Sequence, residues 1–175
     1  MFKTKHNPPR QYLLCVIISA VFAASLNIKT GKAAEPTDMT AEKLLDICTS
    51  STSQIAATKG DVLGWQKMTD VERDELRISL GNAASTEIVG WRRSGTGSPE
   101  FLWFATNAAH LMTCWYRKPD ATGLLDSLSK HLGSPDELDR NDATNSITAS
   151  WLRNELEYSI VQFRSSAIVT IGSQR

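Results

Sequence analysis

Three consecutive runs in the last part of the chain, Ser146–Arg153, Leu156–Arg164 and Ala167–Gly172, alternate apolar with polar residues and are separated by two residues each. A period of two is that of a half-buried strand, and connections this short join only antiparallel neighbours. Ile147, Ala149 and Trp151 share one face of the first run. Leu156, Tyr158 and Ile160 share one face of the second, and Ala167, Val169 and Ile171 one face of the third. Such a meander needs a cover for its apolar side. The residues just ahead supply one: Pro119-Asp120 opens a helix whose stripe is Leu124, Leu125, Leu128 and Leu132, and Gly133 with Pro135 stops it. Residues 136–145 read as a polar connector.

The first half of the chain shows the same order. Thr40 is placed to cap a helix over 41–58, with Gly60 just past its end. Thr69-Asp-Val-Glu72 is a capping box that opens a second helix, continued by Leu76, Leu80 and Ala83 or Ala84. Leu76, Ile78 and Leu80 also alternate as in a strand, but the capping box favours the helix. Glu87–Arg93, Phe101–Thr106 and His110–Arg117 then read as strands, the first two separated by the loop Ser94-Gly-Thr-Gly-Ser-Pro99 and the last two by Asn107-Ala-Ala. The expected order is helix(es)-βββ-helix-βββ. That is an α+β domain with an antiparallel sheet of about six strands and its helices on one face. The order suggests a duplicated unit, although no residue-level repeat accompanies it.

The segment Leu128-Ser-Lys-His-Leu-Gly-Ser-Pro135, followed by a Trp-bearing strand and two more, resembles the small helix–βββ modules of bacterial envelopes. BamE-type outer-membrane assembly lipoproteins and β-lactamase inhibitor proteins use such units. The resemblance covers about the last 50 residues and rests on a helix stop and strand order. It implies a binding module and carries no functional residue across.

Charge and the first residues indicate where the chain goes. It has 175 residues with 19 Lys+Arg and 19 Asp+Glu. Residues 1–34 hold Lys3, Lys5, Arg10, Lys29 and Lys32 and no acid, so the rest carries 14 basic and 19 acidic residues, a net charge of −5. A basic start, an apolar run over Tyr12–Leu26 and the small residues Ala23-Ala24-Ser25 are the parts of an export signal. The run is short for a bilayer span. Cys15 lies within it, behind Leu13 and Leu14, which do not make a lipidation site. The expectation is a signal peptide at 1–25, a flexible lead-in at 26–39, a single α+β domain at 40–175, and a periplasmic or secreted location with no stable membrane span. The balanced, then acidic, charge excludes a nucleic-acid footprint.

Two cysteines remain beyond the leader, Cys48 and Cys114. In an exported chain they are expected to form one disulfide. Cys48 lies on the helical stripe of Leu44, Ser51 and Ile55. Alternation puts Cys114 on one strand face with His110, Met112 and Tyr116. A helix packed on that face would bring the sulfurs together. A metal site of His110, Cys114 and Cys48 lacks the paired-ligand spacing of zinc sites, so no metal and no cofactor is expected.

Catalytic signatures are sparse. No phosphate-binding glycine loop, H-E-x-x-H or G-x-S-x-G motif occurs. His131 falls in the last turn of a helix, where a cationic ring suits the dipole. The acids of 70–75 and 136–142 suit a solvated helix start and a loop. The tryptophans are more informative. Trp115 lies opposite the Cys114 face, and Trp91 and Trp103 are expected to join it on a sheet face that binds another macromolecule, with Arg92 beside them. The expected function is therefore non-enzymatic binding of an envelope protein or glycan. The alternative is a small envelope hydrolase using His110 and nearby carboxylates.

Overall fold

The computed structural model describes residues 36–80, 86–95 and 98–173. The expected export signal and residues 26–35 of the lead-in lie outside the described residues, as do Ala83, Ala84 and two residues of the 94–99 loop. The elements in chain order are α1 (Ala41–Cys48), α2 (Ser53–Asp61), β1 (Gln66–Lys67), α3 (Asp70–Ser79), β2 (Glu87–Arg93), β3 (Glu100–Thr106) and β4 (Met112–Lys118). There follow α4 (Leu124–Leu132), β5 (Glu137–Asn141), β6 (Ser146–Arg153), β7 (Leu156–Phe163) and β8 (Ser166–Ser173). The fold is α+β, with one antiparallel sheet in the order β1-β2-β3-β4-β8-β7-β6-β5.

The sheet has eight strands rather than the expected six. The two additions are its edges. β1 has two residues, too few to show alternation. All five residues of β5 are exposed and three are charged, so it looks like a connector until it is seen pairing with β6. Each half is a four-strand meander, and the halves join through their last strands, β4 and β8. The strand order is symmetrical about the β4–β8 seam, while the helices differ between the halves, α1 to α3 in the first against α4 in the second.

Local chemistry explains most boundaries. Thr40 Oγ1 accepts the Lys43 amide at 3.2 Å and opens α1. The single helix expected over 41–58 is broken, because Thr49-Ser-Ser-Thr52 supplies hydroxyls that end one helix and start the next. Thr49 Oγ1 donates to the Leu45 carbonyl at 2.8 Å, and Thr52 Oγ1 accepts the Ile55 amide at 3.2 Å. Gly60 therefore lies in the last turn of α2 rather than beyond it. The Thr69–Glu72 capping box forms, with Glu72 Oε2 accepting the Thr69 amide at 2.7 Å. Gly133 ends α4 with φ of 83°. Asn154 and Glu155, both at positive φ, make the tight turn between β6 and β7.

One sheet face carries the core. Val89, Trp91, Leu102, Phe104, Cys114, Tyr116, Ile171, Val169, Tyr158, Ile160, Trp151 and Ala149 lie on it, by register and burial. Leu44, Ile47, Cys48, Ala56, Leu124 and Leu128 from α1, α2 and α4 complete the layer. The Cys48 and Cys114 sulfurs are at disulfide distance, with Cα atoms 5.3 Å apart, inside the range a disulfide requires. Thr37–Met39, the end of the expected lead-in, is docked here too: the Thr37 amide donates to the Leu63 carbonyl at 2.9 Å, and Met39 is buried.

The helices are not all on that face. Met68, just ahead of α3, fills the space over Gly90 that a side chain would occupy. Glu72 of α3 pairs with Arg92, and Leu80 lines a cavity with Ala105 and Thr113. Gly90, Arg92, Ala105 and Thr113 all point away from the core, so α3 lies on the second face, at its β2 end. None of its residues is buried.

Candidate functional site

The second face is defined by register. Gly90, Trp103, Trp115, Thr170, Ser159 and Ser150 stand side by side across six strands. The next row is Arg92, Phe101, Arg117, Ile168, Val161 and Thr148. Trp103 and Trp115 stack across β3 and β4 with ring centroids 6.3 Å apart and planes 16° from parallel, and both are half-buried. Such a pair presents large, pre-positioned apolar area at little entropic cost, as binding hot spots do.

One cavity on this face is walled by Trp115, and a second lies further along the same strands without touching either ring. The first, of about 300 Å³, is lined by Trp115, Arg117, Val161, Phe163, Ser166, Ala167 and Ile168. The other, of about 210 Å³, lies towards the opposite strand ends and includes Leu80, Ala105, Thr113 and Ser173.

Two expected members behave differently. Trp91 does not join Trp103 and Trp115. It pairs with Leu102, not Trp103, and so points into the core, where it is 1% exposed. Its indole N–H donates to Asp61 Oδ1 at 3.0 Å. Burial raises the Asp61 pKa, but the hydrogen bonds from Lys67 and Trp91 outweigh it and hold the carboxyl below its ordinary value. Arg92 is on the second face, but its guanidinium is engaged. It donates to Gln66 Oε1 at 3.0 Å and to Glu72 Oε1 at 2.7 Å, clamping β1 and α3. The Thr69 amide and hydroxyl, and then the Arg92 charge, keep the Glu72 carboxyl below its usual value. Of the remaining tryptophans, Trp65 and Trp151 are core residues bonded to the carbonyls of Thr37 and Gly133.

Arg117, Val161, Ile168 and Phe163 had not been singled out. Arg117 could have been found from its position two residues beyond Trp115. Val161 and Phe163 fall on the side of β7 that reads as polar, and only the strand order brings them to Trp115.

His110 lies in the turn before β4 at φ of 59°, and its imidazole is exposed. A cavity of about 270 Å³ brings it near Glu87, Thr52, Ser51 and Asn107. Glu87 accepts a hydrogen bond from the buried Ser53 hydroxyl. No hydrogen bond joins His110 to a hydroxyl or a carboxylate among the described residues. Cys114 is in the core with Cys48, apart from any His–Cys site. No group of three metal-ligating side chains, and no helix long and apolar enough to cross a membrane, occurs among the described residues.

The architecture therefore defines an α+β protein with an eight-stranded antiparallel sheet, one face of which carries an aromatic pair. Comparison with protein-family models, curated proteins and solved structures finds no match to this chain.

Proposed function

We propose that this is an exported, non-catalytic protein that binds another macromolecule of the envelope or extracellular space through the second face of its sheet. The observation that carries the reading is the Trp103–Trp115 stack, half-buried on the face away from the core with a cavity walled by Trp115 beside it. The sheet edges favour binding by a face. β1 is two residues long and β5 is charged, and neither suits addition of a partner strand. Export is supported by the basic and apolar start of the sequence and by the cysteine pair at disulfide distance. A photo-reactive phenylalanine analogue placed at Trp115 tests the binding surface in the native host. A discrete adduct is expected from position 115 and none from Val62, which is exposed on α2's side of the sheet. Identical products from both positions, or none from 115, would overturn the assignment.

The cavity holding His110 and Glu87 favours a second reading, a small envelope hydrolase. Turnover of chromogenic esters or glycosides that disappears in both His110→Ala and Glu87→Gln would establish it. Activity indifferent to both changes would remove it.

A further inference from the structure

We propose that the partner of the second sheet face is a protein that inserts an apolar side chain beside Trp115 and sets an adjacent carboxylate against Arg117. The inference rests on the binding role proposed above and names the chemistry of its partner.

The cavity beside Trp115 is the most apolar feature of this face. Trp115, Val161, Phe163 and Ile168 form its walls, and Phe163 is 49% exposed, a large ring left in water at the rim. Its volume of about 300 Å³ exceeds that of any single side chain, so it admits one with room for a neighbouring backbone. The hydrogen-bonding side chains around it are Ser166, Arg117 and the single indole N–H of Trp115. A glycan brings hydroxyls on every edge and needs many more partners than these. It also needs open ring faces, whereas Trp103 and Trp115 cover one face of each other. A polypeptide side chain asks for less and fits better.

Charge then selects the neighbour of that side chain. The strands place two arginines on this face, Arg92 and Arg117. Arg92 is satisfied by Glu72 and Gln66. Arg117 is exposed, and no carboxylate lies within salt-bridge distance of it among the described residues. Arg73, Arg77, Arg93 and Arg153 each have an acidic partner; Arg140 and Arg164 have none among the described residues, but neither lines this cavity. A fork of donors held at the rim of an apolar cavity matches a carboxylate presented next to an anchor residue. Residues 35–175, which carry an acidic surplus, thus offer a cation without a carboxylate partner where the anchor would enter.

A random dodecapeptide library displayed on phage and selected on the oxidised protein provides the test. Enriched peptides should carry an aromatic or branched apolar residue next to Asp or Glu. For a synthesised binder, changing that acid to its amide should weaken binding about tenfold. Arg117→Glu and the milder Arg117→Gln should weaken the acidic peptide and leave the amide peptide unaffected. Trp115→Ala should weaken both. Peptides that tolerate loss of the acid and both Arg117 variants but require Trp115 would overturn the carboxylate assignment while leaving the binding face standing. Peptides indifferent to Trp115, or no enrichment at all, would count against both.

Discussion

Trp91 shows how one missing side chain can position a whole ring. A Cβ at Gly60 would collide with the six-membered ring of the Trp91 indole, so α2 reaches β2 this closely only with glycine at that position. Gly60→Ala should therefore destabilise the protein by about 1–3 kcal/mol, because overpacking exceeds the roughly 1 kcal/mol that alanine gains inside a helix. A lower urea midpoint with unchanged slope would show it; an unchanged or raised midpoint would mean that the ring can move aside. The same residue marks where sequence reasoning reaches its limit. Alternation assigns sides within one strand, and it correctly separates Cys114 and Tyr116 from Trp115. It does not fix which residue of β2 faces which residue of β3, since that depends on the path of the 94–99 loop. Trp91 opposite Trp103 would have made a row of three. The observed register opposes Trp91 to Leu102 and sends it to the core.

Among the elements, the link from α4 to β6 is held by a carboxylate and a guanidinium. Asp136 Oδ2 accepts the Leu152 amide and an Arg153 N–H, each at 2.7 Å. Arg153 also donates to the carbonyls of Leu132 and Ser134 at 2.9 Å, closing the turn around Gly133. The Leu152 amide first, and then Arg153, hold the Asp136 carboxyl below its ordinary value. A carboxyl depressed on folding contributes stability that is present above its unfolded pKa and is lost as pH falls through the folded one. Stability should therefore decline on acidification below about pH 4, near the unfolded carboxyl value. The decline should be shallower in Asp136→Asn, measured as urea midpoints between neutral and strongly acidic buffer. An identical slope in the variant would show that Asp136 does not take part. Elements with a strong period or a cap were legible in the sequence: β2 and β6 have the expected bounds, α3 begins at its capping box and α4 ends at Gly133, although α4 starts at Leu124, behind a left-handed Gly123, and not at Pro119-Asp120. β1 and β5 were not, because edge strands are short or charged to avoid pairing, which erases the alternation that marks a strand. The break between α1 and α2 is not legible from the apolar stripe, which runs on past Thr49–Thr52, where hydroxyls compete with the helix for its backbone.

Over the whole molecule, the Cys48–Cys114 pair ties α1 to the strand at the middle of the sheet. The sequence separation is 66 residues, and closing such a loop in the unfolded chain is worth about 4 kcal/mol in the entropic account. Cys48→Ser should lower stability by about that amount. The unfolded wild-type protein, kept from reductant, should show no reactive thiol from this pair. Two reactive thiols would mean the pair is reduced in the native protein. The antiparallel α+β class and the cysteine pairing were legible because each rests on a period or a count. The placement of α3 on the second face was not, since nothing in its own sequence says which side of β2 it covers. The β4–β8 seam also bears on how the protein is made. During synthesis β4 has a paired neighbour on one side only, and its other edge stays open until residues 166–173 emerge about 50 residues later. The sheet closes last at its middle. The interval before β8 arrives is when a folding helper, or an unwanted strand from another chain, would find this protein most receptive.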